Sequence, residues 1–185
     1  MPNTPHLGIL ATDELKARGG EIDAPGLAGA NLALVKAMTG GRPQIMSVLT
    51  EQAMLLCSAQ SAGVSIFNSP DCEELTWEKV QGELSACTGR RFPLRHSMCG
   101  ICLDRRVPQL FREPHDLFEW MGLNGIWVEE ALVVPLCGVG NDMYGTIWVF
   151  SHEGSAHYHQ AHADMLLKLG IQATACVRML REREG

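Results

Sequence analysis

The stretch 131–150 constrains the fold more than any other part of the chain. Two apolar runs, Ala131-Leu132-Val133-Val134-Pro135-Leu136 and Tyr144-Gly145-Thr146-Ile147-Trp148-Val149-Phe150, flank Gly138-Val139-Gly140-Asn141-Asp142. Both runs are short and rich in β-branched or aromatic residues, and the segment between them is turn material. An antiparallel hairpin follows. Upstream, Val64-Ser65-Ile66-Phe67 and Leu75-Thr76-Trp77-Glu78-Lys79-Val80 read as a second hairpin across Asn68-Ser69-Pro70-Asp71.

Helices frame these hairpins. Leu27, Leu34, Val35 and Met38 recur at near-heptad spacing until Gly40-Gly41 interrupts them. From Pro43 onward, Ile45, Val48, Leu49, Gln52, Leu56 and Ala59 trace one helical face, which predicts a helix ending near Ser61-Ala62-Gly63. After Ser155 or His157, the residues Tyr158, Met165, Leu166, Leu169, Ala173, Val177 and Leu180 hold helical spacing.

Between the hairpins runs a long excursion, 82–129. It predicts a short helix over Met98 to Asp104, an edge strand over Val107 to Phe111 and another short helix over His115 to Met121. Pro108 suits an edge because it lacks a ladder donor. The order helix, helix, hairpin, excursion, hairpin, helix implies an α+β fold with helices packed on an antiparallel sheet. Residues 1–26, punctuated by Pro2, Pro5, Gly8, Gly19, Gly20, Pro25 and Gly26, read as a loosely structured lead-in with one short helix around Asp13 to Arg18. Residues 27–185 read as the domain itself.

Composition narrows the function classes. A net charge of −6 gives no long-range attraction to nucleic acid or to an anionic membrane. The apolar runs fall far below the ~18 residues that span a bilayer. The first residues carry neither the basic nor the apolar region of a secretory signal. Seven cysteines, an odd number, then read as reduced thiols in a cytoplasmic protein. No nucleic-acid or membrane partner is expected.

Three segments resemble the GAF family of sensor domains. Ser61-Ala62-Gly63-Val64-Ser65-Ile66 resembles the end of the family's first core helix and its first strand. Glu130 to Leu136, a turn and Gly145-Thr146-Ile147-Trp148-Val149 resemble its central hairpin, and Tyr158-His159-Gln160-Ala161-His162-Ala163-Asp164-Met165-Leu166 the opening of its last helix. Ser97-Met98-Cys99-Gly100-Ile101-Cys102-Leu103-Asp104-Arg105 looks like a segment found in the GAF modules of bacterial sensor histidine kinases. The resemblance implies an α/β/α sandwich with a central antiparallel sheet of five or six strands flanked by helices. It also implies a sensing or relay role, in two-component signalling with a histidine kinase or other signalling output.

In this family the excursion folds over one sheet face and makes a ligand pocket. Phe92, Cys99, Cys102, Phe111, Phe118, Trp120, Met121, Trp127 and Trp148 are therefore the candidate ligand-binding residues, with an ordinary filled core as the competing assignment. Arg90-Arg91, Arg95 and Arg105-Arg106 are candidates to neutralise an anionic ligand. Helices over 27–38 and 158–180 are candidate homodimer surfaces, and a ligand-free dimerisation module is a further alternative. Cys99 and Cys102 form a lone C-x-x-C, the basis of the alternative that the chain is a cysteine-dependent redox sensor or a methionine sulfoxide reductase-like enzyme. Residues 113–130 hold no cysteine where that reductase family keeps its nucleophile, so no catalytic residue is assigned. The signatures for linear tetrapyrroles and cyclic nucleotides are absent. No metal ligand set is assigned, and no cofactor is specified.

Overall fold

The computed structural model describes residues 9–67, 71–138, 140, 142–154 and 157–184. The expected turn at 68–70, part of the turn at 138–142 and Ser155 lie outside the described residues. The elements in order are β1 (Ile9–Leu10), α1 (Glu14–Ala17), α2 (Ala24–Ala37), α3 (Gly41–Cys57), β2 (Ser61–Ile66), β3 (Glu74–Gly82) and β4 (Arg91–Pro93). Then come α4 (Met98–Arg105), β5 (Gln109–Arg112), α5 (Pro114–Leu117), α6 (Glu119–Leu123), β6 (Glu130–Cys137), β7 (Met143–Ser151) and α7 (Gln160–Glu184).

All the strands join one antiparallel sheet in the order β1-β5-β6-β7-β2-β3-β4. Six strands carry it, with the two-residue β1 added outside β5. The strand expected at an edge is thus covered: Ile9 pairs with Arg112 and Leu10 with Phe111. Pro135 sits inside β6 without disrupting it. β5 stops at Gln109 opposite Val133, so Pro135 lies where β6 pairs on one side only, with Thr146 of β7.

Strand alternation gives the sheet two buried faces. On one, Ala62, Val64, Leu110, Leu132, Val134, Ile147 and Val149 meet Leu34, Ile45, Leu49, Leu166 and Leu169 from α2, α3 and α7. On the other, Trp77, Phe92, Phe111, Val133, Trp148 and Phe150 meet Cys99, Phe118 and Met121 from the excursion. The helices pack on the sheet as the element order implied, and the excursion covers the other face as the family resemblance implied.

Three local readings change. The second long helix stops at Cys57, because Ser58 takes the left-handed conformation (φ 50°) that ends it. Gly63 is therefore no helix breaker but a strand residue. A Cβ there would lie 2.1 Å from Cζ2 of Trp148, so only glycine lets that indole cross the strand. The helix expected over 115–121 is split at Phe118, whose φ of −124° and ψ of 90° are not helical.

Residues 9–18 of the lead-in carry ordered structure. Arg18 donates to both oxygens of buried Glu130 at 2.8 and 2.9 Å and to the Tyr158 carbonyl at 2.9 Å. The Tyr158 backbone N–H donates to Glu130 at 2.7 Å. One buried carboxylate thereby ties residues 14–18, the start of β6 and the approach to α7 together. Glu14 adds ion pairs to Arg18 and Arg112.

Candidate functional site

The site is organised by α4. Ser97 is its cap: its hydroxyl accepts from the Gly100 backbone N–H at 3.0 Å and donates to the Leu94 carbonyl at 2.7 Å. Gly100 is required by the same turn, since a Cβ there would lie 2.1 Å from the Leu94 oxygen. Helical spacing then divides the side chains. Met98, Cys99 and Cys102 enter the aromatic core, Asp104 points away from it, and Ile101 and Leu103 flank the two sides, Ile101 packed against the core cluster.

That outward side borders a cavity of about 980 Å³. Leu94, Arg95 and His96 precede α4 along its wall, and Arg106 closes α4 beside it. Phe67 and Cys72 come from the β2–β3 connection, Asp142 and Met143 from the start of β7, and Phe118 from the α5–α6 junction. Its walls are apolar beneath and charged at the mouth. Among the described residues Arg95 and Arg106 make no hydrogen bond or ion pair, so both guanidinium groups are free to meet a ligand. Asp104 and Asp142 supply opposite charge on the same rim.

Two residues bracketing α4 hold left-handed backbone, His96 at φ 56° and Arg106 at φ 58°. Both line the cavity. Strained non-glycine residues of this kind persist where the surroundings fix them, and they gather at binding sites. Part of that fixing is visible: Trp120 Nε1 donates to the His96 carbonyl at 3.1 Å.

Solved structures share this fold. The GAF domain of a phosphoenolpyruvate-protein phosphotransferase from Coxiella burnetii matches 88% of this chain and 98% of its own, with a TM-score of 0.70 and 15% identity. The second GAF domain of DevS from Mycobacterium smegmatis matches 77% and 97%, with a TM-score of 0.63 and 17% identity. The fold is the GAF fold. The chromophore-binding domain of a bacteriophytochrome from R. palustris matches 90% of this chain and 65% of its own, at a TM-score of 0.67 and 10% identity. No family model and no curated protein matches the sequence.

Within this GAF fold most of the predicted ligand residues pack on one another. Trp148 stacks on Phe150 at 4.1 Å, and Trp77 meets Trp148 at 4.5 Å and Phe92 at 4.4 Å. Phe111 and Phe118 meet edge-on at 6.1 Å. Phe92, Cys99, Cys102, Phe111, Met121 and Trp148 are all buried in that solid cluster and do not reach the cavity. Phe118 does. Trp120 is half-buried against Phe92 at 4.9 Å. Trp127 is 60% exposed and touches the His115 ring instead.

The thiols of the C-x-x-C are chemically quiet. Thr146 donates to Cys99 Sγ at 3.2 Å, Cys99 donates to Ser65 at 3.6 Å, and Trp148 Nε1 donates to the same Ser65 hydroxyl at 2.9 Å. Cys102 donates to the Val107 and Val133 carbonyls at 3.6 and 3.5 Å. Burial pushes both thiols up, with the Thr146 and Ser65 contacts opposing it at Cys99 and the neighbouring Cys99 and Cys137 reinforcing it at Cys102. A protonated, water-excluded thiol is a poor nucleophile. Among the described residues no group of His, Cys, Asp and Glu is placed to hold a metal ion. All seven cysteines are free.

Of the cavity residues, sequence reasoning had named Arg95, Arg106 and Phe118 as ligand candidates and passed over the rest, among them Phe67, Cys72, Leu94, Ile101, Asp104 and Asp142. One signal was available. Taking Cys99 and Cys102 as core residues one turn apart turns Asp104 outward on the same helix.

Proposed function

We propose that this chain is a sensory module whose cavity beside α4 takes a small ligand. One observation carries the reading: a cavity of about 980 Å³ whose mouth holds two arginines, Arg95 and Arg106, without a partner among the described residues. Apolar walls next to two unpaired guanidinium groups suit a small ligand that carries an anionic group. Phe118 is the member of the predicted aromatic set that contributes to this site. The quiet thiols favour ligand sensing over cysteine chemistry.

The module acts in a cytoplasmic two-component relay, as a homodimer through α2 and α7. The predicted stripe needs revision for that role, since Leu27 and Leu34 are buried within the chain. Leu32 and Val35 of α2, with Ile171 and Met179 of α7, are the exposed apolar residues that support a dimer. Among the described residues no helix is long and apolar enough to cross a membrane.

Two experiments test the reading. A thermal-shift panel of amino acids, short carboxylates, nucleotides and sugar phosphates should stabilise the protein with one chemical class. That shift should vanish in Arg95→Gln, and no shift with any class refutes the ligand site. Light scattering should give a dimer that Leu32→Glu with Val35→Glu converts to monomer. An unchanged mass refutes the helical interface.

A further inference from the structure

We propose that a second site, a slot between α3 and α7 on the helix-covered face of the sheet, binds a short-chain aliphatic carboxylate. The slot has a volume of about 60 Å³. Its floor is Met46, Ile66, Leu136 and Val177, all part of the helix-side core or packed against it. Since about 150 Å³ takes a six-carbon ring, the slot encloses roughly two or three carbons of a short tail, the rest lying at its open end.

The rim supplies the headgroup site. Arg42, Arg178 and Arg181 stand around the same opening. Arg42 is committed: Nε and Nη2 donate to the two carboxylate oxygens of Glu78, each at 2.8 Å. Arg178 spends Nε on Glu182 at 3.0 Å and keeps its other donors. Arg181 makes no hydrogen bond or ion pair among the described residues. Three guanidinium groups against the two carboxylates that they bind leave one positive charge over an apolar slot. Tyr144, also on the rim, has a phenol without a hydrogen bond among the described residues. Thr174 is not available, because its hydroxyl donates to the Cys137 and Ile171 carbonyls at 3.0 and 2.9 Å. A water-free tail and a single anionic head satisfy this arrangement together. A neutral alkane leaves Arg181 bare, and a small hydrophilic anion leaves the floor unfilled.

The slot is separate from the cavity beside α4. Successive residues of an extended segment alternate between sheet faces, so Ile66 and Tyr144 line the slot while Phe67 and Met143 line the cavity. The two sites therefore share strand ends but open on opposite faces.

Methyl-resolved NMR of the full chain titrated with hexanoate tests this. Saturable shifts should appear at Ile66, Leu136, Val177 and Met46, while Ile101 and Leu103 stay in place. 1-Hexanol should bind the same methyls more weakly, and acetate should not bind. Arg181→Gln should weaken hexanoate about tenfold, the loss of one partly solvated charged contact, and leave hexanol unchanged. The exposed, unpaired Arg181 contributes no packing, and Val177→Phe, which fills the slot, should block both ligands as an independent check. Hexanoate shifts confined to Ile101 and Leu103, equal affinity of wild type and Arg181→Gln, or no saturable shift would each overturn the proposal.

Discussion

Replacing Arg106 by glycine should make the protein more stable and less able to hold its ligand. Arg106 ends α4 in the left-handed conformation at φ 58°, ψ 24°, with its backbone N–H bonded to the Cys102 carbonyl at 2.8 Å. A side chain at such an angle costs about 1–2 kcal/mol, and glycine removes that cost. Glycine also gives the unfolded chain more freedom, which offsets about 0.5–1 kcal/mol. The exposed Arg106 side chain has no hydrogen bond or ion pair among the described residues to lose. The balance is a gain of about 0.5–1 kcal/mol. For a chain of this size that raises Tm by roughly 1–4 °C. Differential scanning calorimetry and urea unfolding read this directly. Two companion effects are expected. Ligand stabilisation should fall, because a cavity guanidinium is gone. Cys137 should alkylate more slowly, because burial already pushes its thiol up and Arg106 is the charge opposing that shift. A drop in stability for Arg106→Gly would refute the argument, since it would mean that the side chain holds the fold together rather than serving the cavity.

Other expectations follow from the packing and the buried charges. Gly63→Ala should cost about 1–3 kcal/mol in urea unfolding, because its Cβ would meet Trp148 inside a filled aromatic cluster. Glu130→Ala should cost about 3–5 kcal/mol by leaving Arg18 and the Tyr158 N–H without their acceptor, and should strip hydrogen-exchange protection from residues 14–18. His162 is lowered to about 4 by burial and by the stacked His159 ring 3.7 Å away. Its unfolded form binds the proton more readily, so this contribution is complete above about pH 6.5 and fades as pH falls toward 4. Denaturation midpoints from pH 7 to 4 should therefore fall more steeply in the wild type than in His162→Gln, and parallel curves would contradict it.

Much of the fold was legible because its signals are local. β6 and β7 announce themselves by composition around a glycine-rich turn, and α7 by about six turns of apolar spacing. β4 and the split at Phe118 were not legible, because each depends on what lies opposite in the sheet or beneath the excursion. Gly63 shows the limit clearly. A glycine after a helical run reads as a stop, and only the approach of Trp148, far away in sequence, reveals its purpose. The predicted aromatic residues were ambiguous for a related reason. Aromatic residues are what a pocket wants and equally what a core wants, and Trp77, left out of the sequence-derived set, completes the cluster that fills the space. The free arginines of the rim carry no periodic mark at all.

The central claim is that the cavity beside α4 holds a small molecule, and native mass spectrometry of freshly purified protein tests it most directly. The account predicts an added mass that is released on denaturation and absent from Arg95→Gln purified in parallel. Bare chain mass in both, with no ligand class restoring an adduct to the wild type, would contradict it.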